Sequence, residues 1–595
     1  MLYFVLSWGL LAGVSTSLGA LLLVDLAIDQ PDRPIDRLLI ATWLGLGIVA
    51  LVLLTVSFVT PLTPLIGWAL VLTLAVRSLL QGKLLRGAIG EIVLSRRSLF
   101  AGMLVLLGIA FWLDRPVTWQ DTGYYHASLV QWLETYGTVP GLSLIFQNLG
   151  FTSAWFALAA PLNPSGLKGA GLGVTNGFAF VLLVVQWAIG MNAVLRQRAR
   201  VADRFSVIWG SLMIPIVLFL NPMAEILRSP SPDLPVTLVV GVIAWVMLLI
   251  GEPSPGGDRE LSNDRMVPVL LAVIAVSFKL IALPLLPITV GFALWRSRSS
   301  RSRFWTSVGG VGSLAIGGLL PLMVGNVMTS GCPLYPGNVL CLDLPWSPTK
   351  TSIAAAAMVT HGWTSWYGTP PPGMHPWIWA VSQWWSTSTK EKITAIGVLL
   401  AAILGSFVVF KMLVPKGRRM SFKLIAQQLD EQPLVWVAIV GLGGLGFVMS
   451  MSPFFRFSLP YIVLLLTVGV LGVFQVLRRD FSMGLNAKFS NFVVNAQDLP
   501  SRPIVLGGLG LLVMVMVLHR STLLLPPAMV YRSTWVDRIT NDIRYIAPRS
   551  GDVKEETVVQ KDMCWNAPLP CAYEVPHWVH LRSPDRGIAG GFIRK

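Results

Sequence analysis

An all-α polytopic membrane protein is the fold class this sequence predicts, and three observations predict it. Of the 595 residues, 54% are hydrophobic and only 12% charged, whereas soluble domains carry about 25% charged residues. Apolar runs of about 20 residues, the length that spans a bilayer, recur from Leu2 to the neighbourhood of Leu518 with short polar interruptions. The net charge of +16 is gathered into runs between apolar segments: Arg77 to Arg97, Arg196 to Arg204, Arg296 to Arg303, Lys411 to Lys423 and Arg478 to Lys488. Basic loops of that kind mark the cytoplasmic face. No zinc-knuckle, RNA-recognition or basic-zipper pattern accompanies them, so nucleic acid is not an expected partner.

The elements follow in order. Residues 1–113 hold the N-terminal spans, near 3–24, 38–60, 63–80 and 98–113. The first lacks a small-residue cleavage site and reads as a retained helix, not a signal peptide. Residues 114–169 form the first large external loop, and residues 170–328 the central spans, near 170–195, 205–220, 234–250 and 304–328. Within that group, 267–295 is one apolar stretch interrupted by Lys279, with flanks that both read as cytoplasmic. A short or re-entrant helical hairpin with Lys279 near its tip, helped by Pro284 and Pro287, preserves the alternation of sides. One tilted helix is the alternative.

Residues 329–390 form an external loop with seven tryptophans and many prolines, suited either to the membrane interface or to stacking on sugar rings. Residues 391–519 carry spans near 391–411, 433–451, 459–477 and 503–519, and residues 520–595 form a small external C-terminal segment. The total is about 12–14 crossings. No repeat of fixed period and no matching pair of broken helices is present. Cys332 with Cys341, and Cys564 with Cys571, form two close pairs that the alternation puts outside, where two disulfides are expected.

Chemistry concentrates in Trp119-Gln120-Asp121-Thr122-Gly123-Tyr124-Tyr125-His126. From there Tyr125, Leu129, Trp132, Leu133 and Tyr136 recur at helical spacing, predicting a surface-lying amphipathic helix with Asp121 near its N-terminus. Asp121 is then either a helix cap or a carboxylate with a task of its own. Three more ionisable residues stand in apolar surroundings, where they are costly and point to function. Asp233 either caps the span that follows it or binds substrate. Lys279 either snorkels or pairs with an anion, and Arg456 is either an interfacial anchor or a phosphate clamp.

With these residues in hand, the chain resembles the GT-C class of membrane glycosyltransferases. Asp121 matches the essential acidic residue of that class in the first large external loop. The stretch Gly137 to Leu142 with Gly150 to Phe156 looks like the loop of a bacterial branch of it, and Asp233, Lys279 and Arg456 fit the same pattern. The resemblance implies transfer of a sugar from a polyprenyl-phosphate-linked donor to a glycan, lipid or protein acceptor on the non-cytoplasmic side of a bacterial inner membrane. It implies Asp121 as general base, with His126, Asp233, Lys279 and Arg456 binding substrate. Neither the adjacent acidic pair nor the Asp-x-Asp pattern of some members is present, so no metal or further cofactor is expected. A transporter or flippase of lipid-linked saccharides, or a polymerase or ligase of them, is the alternative.

Overall fold

The computed structural model describes residues 1–28, 33–69, 73, 76, 96–167, 169–251, 263–295, 301–360, 368–387, 389–413, 429, 432–480, 535–548 and 563–595. The expected span near 503–519, most of that near 63–80, the basic runs within 77–95, 414–423 and 481–488, and Trp363 and Trp366 lie outside the described residues.

Nine helices among the described residues are long and apolar enough to cross a membrane, so the chain is a multi-pass membrane protein. They lie within α1 (Leu2–Asp25), α2 (Pro34–Val56), α3 (Val174–Leu195), α4 (Val201–Phe219), α5 (Asp233–Gly251), α6 (Arg301–Ser330), α7 (Thr389–Leu413), α8 (Pro433–Met451) and α9 (Phe455–Asp480). Helix is the expected state for such segments, because lipid offers backbone N–H and C=O groups no partner and only a helix satisfies them locally. Enclosed along nearly its whole length, α5 is the central helix, whereas α6 and α7 leave most of their surface uncovered, as lipid-facing helices do.

The closest crossing joins α1 to α2 through small residues. A side chain at Gly19 would collide with the backbone of Ala41, and one at Gly45 with that of Ser15. Glycine there lets two backbones approach, the usual basis of helix association in lipid, and a hydrogen bond between the Thr16 and Thr42 hydroxyls (2.7 Å) seals the crossing.

Residues 266–295 are two helices, as expected from Lys279 and the prolines. Met266–Phe278 ends at Lys279, whose backbone is extended, and Leu285–Trp295 follows a 3-10 turn. The pair is an antiparallel hairpin, because Arg265 at its start reaches Phe292 near its end: the guanidinium donates to the Phe292 carbonyl (3.0 Å) and lies over its ring.

Two ends of the bundle are distinguished by charge. At one, α2 and α4 begin with the same pattern, an arginine just before the helix and an aspartate three residues on. Arg33 binds Asp36 (2.9 Å) and also Asp203, while Arg200 binds Asp36 and, through its backbone N–H, Asp203 (2.9 Å). The two carboxylates are fully buried. The other end, reached by about 28 Å of α4, carries the 114–173 connection and the site.

Described residues of the C-terminal segment form two small antiparallel ladders, β1 (Trp535–Thr540) with β2 (Ile543–Pro548) and β3 (Val579–Leu581) with β4 (Phe592–Arg594). Both cysteine pairs are bonded. This segment packs onto both the first large loop and the 329–390 loop: the Phe592 N–H donates to Pro140 O (3.0 Å), and the Arg594 N–H donates to Pro345 O (3.0 Å) while its side chain pairs with Asp343.

The cross-brace of arginines and aspartates gives a stability prediction. Asp36→Ala leaves Arg33 and Arg200 sharing one carboxylate and should cost about 3 kcal/mol, the low end for losing a partner of a buried pair, since each arginine side chain is about 30% exposed. Denaturant unfolding of the purified variant in nanodiscs measures it.

Candidate functional site

The helix expected after Asp121 exists but is not surface-lying. Thr122–His126 makes one π-helical turn and Ala127–Thr135 continues as α-helix, with Leu129, Val130 and Trp132 all buried. What covers it is remote in sequence: Phe592 of the C-terminal segment meets Trp132 edge-on at 6.2 Å, and the end of α2 bonds the chain beyond, with the Thr138 N–H donating to Ser57 O (2.7 Å). An amphipathic pattern records an apolar face, not whether lipid or protein meets it.

Nor does Asp121 cap this helix, since its carboxylate makes no capping hydrogen bond. It turns instead to Arg456, whose Nη2 lies 3.1 Å from Asp121 Oδ2. Arg456 comes from the first turn of α9, directly after the Ser452-Pro453-Phe454 connection from α8. Its Nε lies 3.4 Å from Asp233 Oδ2. The other oxygen of Asp233 receives Lys279 Nζ. Four residues spread over 335 positions (456 − 121) thus form one chain of alternating charge, Asp121–Arg456–Asp233–Lys279.

Each member is placed by its local structure. Asp233 opens α5, and the turn before it is held by Asn176, whose amide donates to Ile226 O (2.8 Å) and Ser231 O (3.0 Å) while accepting from Trp155 Nε1 (2.9 Å). Lys279 sits at the hairpin tip, and the Ser153 hydroxyl bonds the preceding carbonyl, Phe278 O (2.7 Å). Phe457 lies beneath both cations, with Lys279 Nζ 4.3 Å and Arg456 Cζ 4.9 Å from its ring centre. Trp119 adds a second ring 5.1 Å from Arg456. Ring faces are negative and favour adjacent cations.

The cluster is buried at one end and open at the other. Asp233 is 1% exposed at its side chain, against 22% for Lys279 and Arg456 and 24% for Asp121. A cleft beside it is lined by Asp233, Thr237, Ile281, Arg456, Phe457 and Tyr461, so charged groups lead onto apolar ones. The contact between Arg456 and Asp233 is coulombic only: Arg456 Nε and Asp233 Oδ2 are buried and neither makes a hydrogen bond among the described residues. Buried donors without acceptors are rare and commonly mark a place for a ligand or water.

His126 is set apart from the four. It is buried, with both ring nitrogens lacking a hydrogen-bond partner among the described residues, and it packs on Tyr125 and Phe156. It is not held by Asp233, and no face of it opens to the cleft. Burial, aided by the nearby positive charges of Lys279 and Arg456, holds its imidazole well below the usual range. Burial and the charges of Asp121 and Asp233 push the neighbouring Tyr125 phenol well up.

Sequence reasoning singled out all four charged members but not what surrounds them. Trp119 stands two residues before Asp121 and Phe457 one residue after Arg456, and their role as rings under the cations is readable only from the fold. Among the described residues no group of three or more His, Cys, Asp or Glu is arranged to hold a metal ion.

His126 gives the site a pH signature. Its folded pKa lies below the ordinary imidazole value, so as pH falls the unfolded chain takes up a proton first. Its contribution is undiminished above about pH 6.5 and is lost as pH falls towards the depressed folded value, by at most about 1.4 kcal/mol per pH unit. His126→Phe should flatten this part of the profile, as unfolding free energies at pH 7 and pH 5 would show.

A family model described as "Domain of unknown function (DUF8201)" matches residues 1–463, a stretch that includes all four charged residues. No curated protein matches the chain, and no solved structure does. The match covers more than half of the chain, which therefore belongs to this family.

Proposed function

We propose that this family member is a GT-C-type membrane glycosyltransferase that transfers a sugar from a polyprenyl-phosphate-linked donor to an acceptor on the non-cytoplasmic side of the membrane. The observation that carries the reading is the convergence of Asp121, Asp233, Lys279 and Arg456 at one end of a membrane bundle, where unneeded charge is expensive. The two disulfides support a non-cytoplasmic setting for the loops that flank the site.

The chemistry follows from what each group can do. The acceptor hydroxyl gives its proton to the Asp121 carboxylate as its oxygen bonds to the anomeric carbon, and the bond from that carbon to the phosphate oxygen breaks with its electrons going to phosphate. Direct displacement inverts the anomeric carbon. Lys279 and Arg456 meet the charge that grows on the leaving phosphate, so they favour the transition state over the ground state. Asp233, almost wholly buried, keeps the two cations together and aimed, and Ile281, Val236 and Pro460 give the small cleft beside them an apolar side.

Arg456 also orders the events. It is bonded to Asp121, and a phosphate oxygen competes for that same guanidinium. Donor binding releases the Asp121 carboxylate for the acceptor, so the base is freed only when there is a sugar to transfer.

A transporter needs charged or polar groups along its path, and here the charge knots sit at the two ends of the bundle. Asp121→Asn should lower release of polyprenyl phosphate from lipid-linked sugars by at least about 100-fold, the contribution of a positioned general base, assayed at a temperature where both proteins are folded. Equal turnover by wild type and Asp121→Asn would overturn the assignment. Arg456→Lys keeps the charge but not the planar fork that spans two carboxylates, and turnover should fall about ten-fold or more, read in the same assay.

A further inference from the structure

The C-terminal segment meets the first large loop at both ends of the helix that follows Asp121. At the far end Phe592 bonds Pro140 and touches Trp132. At the near end Trp565, itself fully buried, lies against Gly123, two residues after Asp121. The Trp565 N–H donates to Gly123 O (2.9 Å), and a Cβ at Gly123 would lie only 2.5 Å from the indole. The next residue, Tyr124, stacks on Tyr573 at 5.2 Å, and Tyr573 also meets Phe146 at 5.4 Å.

Trp565 is held from its own side. Its backbone is left-handed (φ 41°), a conformation that costs a non-glycine residue energy unless its surroundings enforce it. The Cys564–Cys571 disulfide closes the loop around it, and the loop is laced to β2 by Ile546 N–H to Pro570 O (2.9 Å) and Ala572 N–H to Ile546 O (3.0 Å). All of these residues lie beyond the 1–463 stretch that the family model matches.

We propose that the C-terminal segment is the positioning element for Asp121: Trp565, locked by the Cys564–Cys571 disulfide, pins the turn at residues 122–126 so that the Asp121 carboxylate faces Arg456. Trp565 is a positioning residue and touches no substrate. The bond from Asp121 to Arg456 is a single contact at the open edge of the cluster, and a turn free to rotate would swing the carboxylate into solvent. Asp233 and Arg456 stand on α5 and α9 and Lys279 at the hairpin tip, not on the turn that Trp565 meets, so loss of that contact leaves the phosphate side of the site in place. The catalytic arm of this proposal rests on Asp121 being the base; its structural arm does not.

The test is hydrogen–deuterium exchange on the full chain in nanodiscs, comparing wild type, Trp565→Ala, Trp565→Phe and the double variant C564S/C571S, alongside turnover of a polyprenyl-phosphate sugar. In Trp565→Ala and C564S/C571S, amides 121–126 should exchange at least ten-fold faster while those of α5 and α9 keep their wild-type rates, and Trp565→Phe should stay close to wild type. Turnover should lose at least ten-fold in kcat, with the donor KM within two-fold of wild type. Unchanged exchange at 121–126 in both disrupted variants would overturn the proposal, as would equal acceleration in α5 and α9, which marks a general staple. Local acceleration with unchanged kcat would overturn the positioning role. If wild type turns over no donor, the glycosyltransferase reading fails, while the exchange data still decide whether the segment holds the turn.

Discussion

Charge at the edge of a bilayer must be paired, and the structure depends on how Arg456 meets that constraint. One guanidinium lies between two carboxylates from different parts of the chain, one partly exposed and one fully buried. Taking ions out of water costs several kcal/mol each unless partners replace the solvent, so the positions of Asp121, Asp233 and Lys279 are not independent choices. The 114–173 connection, the hairpin tip at Lys279, the start of α5 and the start of α9 are all arranged so that these four groups meet. A bridge of this kind is poor at raising stability, since well-packed apolar residues would do as well or better. Its place at the mouth of a cleft is better explained by a ligand that breaks into it.

The opposite end of the bundle offers a contrast built from the same residue types. Arg33, Asp36, Arg200 and Asp203 form a closed reciprocal lattice in which each carboxylate is shared by both guanidiniums. All four carboxylate oxygens of that lattice are hydrogen-bonded, whereas the Asp121 cluster leaves the Nε donor of Arg456 and one oxygen of Asp233 without hydrogen bonds among the described residues. The saturated knot suits a fastening between α2 and α4, and the unsaturated one suits a binding site.

The sequence made the spans legible because lipid demands about 20 apolar residues in a row, and the helices from Leu2–Asp25 to Phe455–Asp480 follow that rule. It also exposed Lys279, because a lone cation between prolines in an apolar run has few bland explanations, and the helical hairpin with Lys279 at its tip follows. Asp121, Asp233 and Arg456 were visible one at a time for the same reason. Their pairing was not visible, because no local pattern says which acid a given base will meet across 335 positions (456 − 121). The helix after Asp121 was misjudged as lying on the surface, since periodicity shows an apolar face but not the Phe592 that covers it. Trp565 gave no signal at all: a tryptophan between a cysteine and an asparagine has no local mark of a role some 440 residues upstream.

Under the proposed reading the site's first task is to hold the phosphate of a lipid carrier, a step that precedes any transfer and needs no knowledge of the sugar or the acceptor. Native mass spectrometry of the wild type, Lys279→Met and Arg456→Met with polyprenyl monophosphate measures it directly. The account predicts saturable binding of one lipid by wild type, weakened at least ten-fold in each variant while both remain folded; equal binding by all three would contradict it.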